Sequence, residues 1–351
     1  MLSLWLRIFS WCYGAVVITR NFLYNKKIKS SMHYRQPSII SIGNLSLGGT
    51  GKTPLTLFLL HLFAKNRVVA VLSRGYKRSS KGFKVINASD TSLTAGDEPY
   101  LIYKKFKHNN VVVAVCEDRV QGIAKIMAYR PDVTLILLDD AFQHLSIKPT
   151  INILLTTFEQ PFFNDHLLPL GGLREPRIGV TRANIILVTK SPKNLSKSQI
   201  LDIQSKINKY YTTLVKPPIF FTHVVYNSPV LMWGGSANKL PHAILLVTGV
   251  ANPIPLRTYL ETNGHQVIHL IFPDHHWFSD TDILNMAHAF LNLTGGEKAI
   301  VTTEKDSVRL AHHPSKNLLA KFPTFYIPIE IGFTQADQIN FEQKIMDQLG
   351  S

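Results

Sequence analysis

Residues 37–54 read PSIISIGNLSLGGTGKTP. Pro37 to Gly43 has the apolar, β-branched character of a short buried strand, and Leu55 to Ala64 reads as a helix. Between them lies Gly48-Gly49-Thr50-Gly51-Lys52-Thr53. Strand, glycine loop, Lys-Thr and helix is the order that a P-loop requires. Glycines let backbone N–H groups curl around phosphate oxygens, and the helix amino terminus adds the positive end of its dipole. Gly48, Gly49, Thr50, Gly51, Lys52 and Thr53 are therefore expected to cradle a nucleotide. Lys52 would reach the β- and γ-phosphates, and Thr53 would hold Mg²⁺. Pro54 suits a first helical turn, where a missing N–H costs nothing. Ser46 stands where a strict GxxxxGK[ST] pattern has glycine.

Working outward, Val133 to Leu138 is an apolar run ending in Asp139-Asp140. A carboxylate at the end of a strand beside a P-loop is where a second Mg²⁺ contact sits. Two other strands end in polar groups. Val68 to Leu72 leads into Ser73-Arg74-Gly75-Tyr76, and Val111 to Val115 leads into Cys116-Glu117-Asp118-Arg119. Ligands of open α/β sheets bind beyond the carboxyl ends of strands, so Arg74 and Arg119 are candidates to clamp phosphate oxygens. Ala95-Gly96-Asp97-Glu98-Pro99 is a turn opening a helix, where Asp97 could simply cap the helix. Residues 168–176, LPLGGLREP, form another glycine- and proline-rich loop. Val267 to Phe272 is a strand ending in Pro273-Asp274-His275-His276-Trp277. Adjacent histidines point in different directions, so an orienting or catalytic His is a better functional reading than a shared metal. Ala299 to Val301 leads into Thr302-Thr303-Glu304-Lys305-Asp306.

The alternation of strands and helices from Pro37 to about Lys190 is the βαβ pattern of a parallel sheet. Lys216-Pro217-Pro218 is a break, and Ile219 to Trp233 reads as extended, as a β-ribbon joining two lobes would. A second α/β unit begins at Ala243. The expected fold is α/β: a P-loop NTPase-like domain with a mostly parallel sheet, and a second, smaller α/β domain joined by a β-ribbon. The expected divisions are an amino-terminal helix at 1–30, a P-loop domain at 31–216, and ribbon plus second domain at 217–351. Site candidates occur in both lobes, which points to a cleft between them.

The chain has 351 residues, with 38 Lys+Arg against 23 Asp+Glu for a net charge of +15. That excess points to an anionic partner. Hydrophobic residues make up 45%, which excludes a disordered chain. With charged residues at 17% and a mean hydropathy of +0.06, the balance tilts toward a membrane surface over nucleic acid. No basic, aromatic nucleic-acid module is recognisable. Two isolated cysteines, Cys12 and Cys116, exclude a disulfide framework or a zinc ribbon. Ile8 to Thr19 is the longest uncharged run near the amino terminus, shorter than the roughly 20 residues of a spanning helix. Trp5, Phe9, Trp11, Tyr13, Phe22, Tyr24 and Tyr34 share this segment with Arg7, Arg20, Lys26, Lys27, Lys29 and Arg35. Aromatics with flanking cations suit a helix lying in the membrane interface.

The ordered motifs SIGNLSLGGTGKTP, LSRGY, AGDEP, LDDAFQH, LLPLGGLREP, TGVANP, FPDHHWF and VTTEKD resemble the tetraacyldisaccharide 4′-kinases of lipid A biosynthesis. The resemblance implies ATP-dependent phosphorylation of the 4′-hydroxyl of an acylated glucosamine disaccharide 1-phosphate, with Mg²⁺. It implies a peripheral or monotopic protein on the anionic, cytoplasmic leaflet of the bacterial inner membrane, expected to act as a monomer without nucleic acid. By position, Lys52 and Thr53 match the phosphate lysine and the Mg²⁺ hydroxyl. Asp97 matches the proposed catalytic base, and His275 its partner. Asp139 and Asp140 match the strand-end metal carboxylates, with Glu98 a further metal candidate. Arg119, Gln143 and His144 match further active-site positions. Ala141 departs from the glycine usual after the two Asp. The competing reading is a membrane-associated P-loop ATPase switch. The lysine that such switches carry just before the paired glycines is Leu47 here.

Overall fold

The structure is a computed structural model that describes residues 2–107, 110–233 and 239–350. Short runs such as VVVAV at Val111–Val115, LILLD at Leu135–Asp139 and IILVT at Ile185–Thr189 are buried almost throughout, as strands covered on both faces must be. They assemble an eight-stranded sheet in the order Ile219–Phe221, Ile185–Thr189, Ile151–Thr157, Ser38–Asn44, Leu135–Asp139, Val69–Ser73, Val111–Val115 and Lys84–Val85. Lys84–Val85 is its antiparallel edge; the other pairings are parallel. The strand leading into the P-loop is therefore central, beside the one that ends in Asp139. Helix Lys52–Phe63 follows the loop directly. It starts three residues before the periodicity predicts, because Lys, Thr and a first-turn Pro are all compatible with helix.

A second sheet has the order Val230–Leu231, Thr324–Ile327, Lys298–Thr303, Ala243–Thr248, Gln266–Ile271. Between the lobes, His223–Tyr226 pairs antiparallel with Ile329–Gly332. The extended stretch after Pro218 thus divides in three. Ile219–Phe221 completes the first sheet, the ribbon strand follows, and Val230–Leu231 enters the second sheet. The ribbon's other strand lies about a hundred residues away, so local patterning gave no sign of it.

The expected 217–351 unit is not confined to one lobe. Helix Gln335–Leu349 returns to the first lobe and buries Phe341 and Ile345 in its core. Phe341 sits edge-on to Phe220 at 5.5 Å and stacks on Phe333 at 5.0 Å. The reason is that one flank of the first sheet would otherwise leave Phe58 and Phe220 uncovered.

The amino-terminal helix, Leu2–Asn25, docks on the loop 165–177 along a narrow, largely polar stripe. Ser10 Oγ donates to the Leu167 carbonyl at 2.8 Å, Tyr13 OH donates to the Arg174 carbonyl at 2.7 Å, and Val17 is buried. Trp5, Phe9, Trp11, Val16 and Phe22 are exposed, Trp11 by 81%. The usual arrangement is reversed: hydrogen bonds face the protein and apolar side chains face out. Among the described residues, no helix is long and apolar enough to cross a membrane.

Phe341→Ala should destabilise the first lobe by about 3–5 kcal/mol, the range for truncating a buried aromatic. Urea unfolding followed by far-UV circular dichroism would show this as a lower midpoint. An unchanged midpoint would mean that the carboxy-terminal helix is not part of that core.

Candidate active site

Thr189 Oγ1 donates to the Thr50 carbonyl at 2.8 Å, pinning the P-loop to the neighbouring strand end. Gly51, at φ +89°, turns the chain into the helix. Lys52 Nζ lies 3.3 Å from Asn44 Oδ1 and 3.4 Å from Asp140 Oδ1. Arg174 bridges the same two residues. Its guanidinium donates to Asp140 at 3.0 and 2.7 Å and also to Asn44 Oδ1. Asp140, at φ +49°, is the left-handed residue of the turn after the strand. Ala141 is therefore accommodated, because the unusual backbone falls one residue earlier than a glycine there would suggest. Gly43 permits that turn to approach: a Cβ on it would lie 2.6 Å from Phe142 Cβ.

The two adjacent carboxylates titrate apart. Asp139 is buried and its Oδ1 has no hydrogen-bond partner. Burial first, then Asp140, raises its pKa to about 6, against the pull of Lys52 and Arg119. Asp140 is held far below the usual carboxylate range: burial opposes its charge, but Lys52 and Arg174 more than offset that. A buried acceptor without a donor beside a lysine–threonine loop fits a divalent cation. No group of three His, Cys, Asp or Glu among the described residues could hold a metal without other ligands. Mg²⁺ commonly relies on one or two carboxylates, with phosphates and water completing its shell. Thr53, Asp139 and Asp140 fit that use.

Arg119 is 1% exposed, and its guanidinium donates to the Cys116 carbonyl at 2.5 Å and the Asp139 carbonyl at 3.3 Å. Burial lowers its pKa to about 10. It ties two strand ends together and is buried, where the sequence suggests a phosphate clamp. Arg74 is exposed at the end of its strand. Burial, then the nearby Arg119, lowers the pKa of His144 to about 4, so its ring is neutral at pH 7. Gln143 Nε2 donates to the Asn44 carbonyl at 2.7 Å and to Glu175 at 3.0 Å. Glu175 is fully buried and also accepts from Arg182 at 2.8 Å.

The second half of the site spans the lobes. Helix Asp97–Phe106 begins after Gly96, whose φ of +92° and 3.1 Å approach to Gly75 leave no room for a side chain. Asp97 caps nothing. Its carboxylate lies 3.2 Å from His275 Nδ1 and 3.6 Å from Arg309 Nε, both from the second lobe. Lys305 Nζ is 2.7 Å from Glu98 Oε1 and 3.0 Å from His275 Nε2. Burial opposes ionisation of Glu98, but Lys305 and His275 hold its pKa below the usual range. Glu98 therefore faces a lysine of the opposite lobe. His276 turns away to Asp282 at 2.9 Å, which fixes the following helix. Lys105–Glu304 at 2.7 Å and Tyr100–His312 at 3.1 Å continue the seam along the same helix.

The candidates thus fall in two groups: Lys52, Asp139, Asp140 and Gln143 around the strand ends beside the P-loop, and Asp97, Glu98 and His275 on the seam between the lobes. Sequence reasoning missed Asn44, Lys305 and Arg309, and assigned no chemistry to Arg174 or Glu175. Asn44, Lys305, Arg174 and Glu175 stood inside quoted motifs, whereas Arg309 gave no signal of its own.

The family model described as "Tetraacyldisaccharide-1-P 4'-kinase" matches residues 2–350. The Tetraacyldisaccharide 4'-kinase of Bacteroides thetaiotaomicron is 42% identical, over 97% of this chain and 92% of its own. That of Flavobacterium johnsoniae is 38% identical, over 97% and 95%. The crystal structure of LpxK from Aquifex aeolicus in complex with ATP superposes with a TM-score of 0.74 at 27% identity, covering 99% of this chain and all of that one.

Because the pKa of Asp139 is raised to about 6, a cation must displace a proton from it below that pH. Mg²⁺ affinity in the presence of ATP should rise with pH toward about 6 and level off above it. Titration calorimetry between about pH 5 and 7.5 would read the slope, and Asp139→Asn should flatten it. A slope unchanged in that variant would remove Asp139 from the metal site.

Proposed function

The chain belongs to the tetraacyldisaccharide 4′-kinase family, and on that premise we propose that Asp97, held by His275 across the lobes, is the base that activates the acceptor hydroxyl. The protein is an ATP- and Mg²⁺-dependent kinase that transfers phosphate to the 4′-hydroxyl of a lipid A disaccharide precursor. The specific acceptor proposed is a tetraacylated glucosamine disaccharide 1-phosphate. Family membership sets aside the ATPase-switch reading.

One observation carries the assignment of the base: the 3.2 Å contact between Asp97 and His275 on the seam between the lobes. A sugar hydroxyl is a weak nucleophile, and a positioned base contributes roughly 10²–10⁴-fold. Asp97 Oδ2 would accept the 4′-hydroxyl proton as the oxygen attacks the γ-phosphorus, while the β–γ bridging oxygen leaves with ADP. His275 orients the carboxylate. Lys52 and the backbone N–H groups of 48–53 would stabilise the transferring phosphoryl charge. Mg²⁺, held by Thr53, Asp139 and Asp140, would neutralise the phosphates. Arg74, exposed at a strand end of the same sheet, is available to an anionic acceptor. Arg119 acts as a positioning residue for the strand that carries Asp139.

We also propose that the protein works at the cytoplasmic face of the inner membrane, with the outer surface of helix Leu2–Asn25 in the lipid interface. Its exposed aromatics and the cations Arg7, Arg20, Lys26 and Lys27 support this reading. The acylated substrate would then not have to leave the bilayer.

Transfer of labelled γ-phosphate from ATP to purified tetraacyl disaccharide 1-phosphate in detergent micelles tests the chemistry. Asp97→Ala should lower turnover by about 10²–10⁴ while ATP still binds, and Lys52→Ala should abolish transfer. Near-normal turnover in Asp97→Ala would exclude it as the base. Trp11→Glu should reduce co-sedimentation with phosphatidylglycerol-containing vesicles without lowering thermal stability. Unchanged sedimentation would make that helix face irrelevant to membrane binding.

A further inference from the structure

His275 is surrounded by groups that make opposite demands on its two nitrogens. Nδ1 faces Asp97 Oδ2 at 3.2 Å. Nε2 faces Glu98 Oε1 at 3.8 Å and Asp274 Oδ2 at 4.0 Å. Only the Asp97 contact is within hydrogen-bond distance, yet carboxylates flank both nitrogens, so a proton on either would meet negative charge. If it sat on Nε2, the Nδ1 lone pair would face the Asp97 carboxylate, and the orienting hydrogen bond would be lost.

Lys305 breaks that symmetry. Its ammonium lies 3.0 Å from Nε2 and is anchored by Glu98 at 2.7 Å. An ammonium has three donors and no acceptor. Nε2 must therefore accept, which leaves the ring proton on Nδ1, donating to Asp97. The hydrogen bond made by one ring nitrogen fixes the state of the other.

The fold holds Lys305 in place from behind. It occupies the second position of helix Glu304–Ala311, whose first turn is capped by Thr303 accepting from Asp306 N at 3.0 Å. Asp306 is fully buried, accepts from Gly249 N at 3.0 Å and Thr303 Oγ1 at 2.6 Å, and pairs with Arg309. Tyr76 closes the remaining side of the imidazole, edge-on at 5.1 Å. The ring itself sits on a residue with φ +57°, a backbone conformation that aims it back across the cleft.

We propose that Lys305 is a positioning residue that fixes His275 as its Nδ1–H tautomer, so that the imidazole donates to Asp97. Lys305 and His275 belong to one lobe, so the tautomer is set there, and Asp97 of the other lobe receives the Nδ1–H hydrogen bond when the lobes are in contact. The inference rests on the assignment of Asp97 as base, and its test reads the tautomer independently of turnover.

The experiment is ¹⁵N NMR of the full chain with labelled histidine, His275 being assigned by its loss in His275→Asn. Wild type should show a protonated Nδ1 and an unprotonated Nε2. Lys305→Met keeps the length of the side chain and removes the donors. It should shift the proton to Nε2 or to both nitrogens. Its kcat should fall at least about tenfold, within the roughly 10⁴-fold ceiling for a catalytic histidine left in the wrong tautomer, with KM for ATP unchanged. Lys305→Arg, which keeps a donor, should recover the Nδ1–H state and part of kcat. An Nε2–H ring in wild type would overturn the proposal. So would Lys305→Met with low kcat and an intact Nδ1–H tautomer, since Lys305 would then only join the lobes. Normal turnover in Asp97→Ala with the tautomer shift still present would instead remove the base assignment and leave the role of Lys305 standing.

Discussion

The Asp97 carboxylate, facing His275 and Arg309 from the opposite lobe, is the contact on which the rest of the site depends. A carboxylate with 8% exposure is costly to bury unless its charge is met. Among the described residues, the first lobe brings no ion-pair partner to it; the second lobe brings an imidazole and a guanidinium. Separating the lobes would leave Arg309 committed to Asp306 and to the carbonyls of His276 and Gly249, and Asp97 without partners. The same helix carries Glu98, Tyr100 and Lys105 to Lys305, His312 and Glu304. Charge compensation thus joins the two lobes at the Asp97–His275 contact.

Deeper in the cleft, the electrostatics are set by unequal access to cations. Asp139 and Asp140 are neighbours in sequence, but the left-handed turn at Asp140 swings its carboxylate to Lys52 and Arg174. Asp139 stays at the buried strand end with one oxygen unmatched. One carboxylate is held ionised by its two cations, while burial favours the protonated form of the other. Arg119, buried beneath, ties the backbone of that strand end to the Cys116 carbonyl.

The amino-terminal helix is joined to this centre by short hydrogen-bonded routes. Tyr13 holds the backbone of Arg174, whose guanidinium meets Asp140 and Asn44. Asn21 reaches Glu175 at 3.4 Å, and Glu175 accepts from Gln143, which in turn donates to Asn44. An apolar, cation-flanked surface and a phosphate-binding loop are therefore separated by only a few rigid contacts. That suits an enzyme whose acceptor stays in the lipid while its donor comes from water.

The sequence by itself determined the P-loop, the parallel first sheet, the strand-end carboxylates and the greasy basic amino terminus. Each of these is local: a glycine spacing, a strand periodicity, a run of aromatics and lysines. It also presented Asp97 and His275 as candidates, but only a resemblance paired them, because 178 residues separate them and nothing in either neighbourhood refers to the other. Tertiary structure decided what long-range packing and charge neutralisation decide. Arg119, a phosphate clamp by position, turns inward because the nearest acceptors are backbone carbonyls in a buried site. Lys305 and Arg309 acquire their roles only when the second lobe meets the first. The carboxy-terminal helix crosses back because the first sheet had apolar surface left to cover. Local pattern chooses elements; which side chains meet across a cleft depends on where uncompensated charge and exposed apolar surface find their partners.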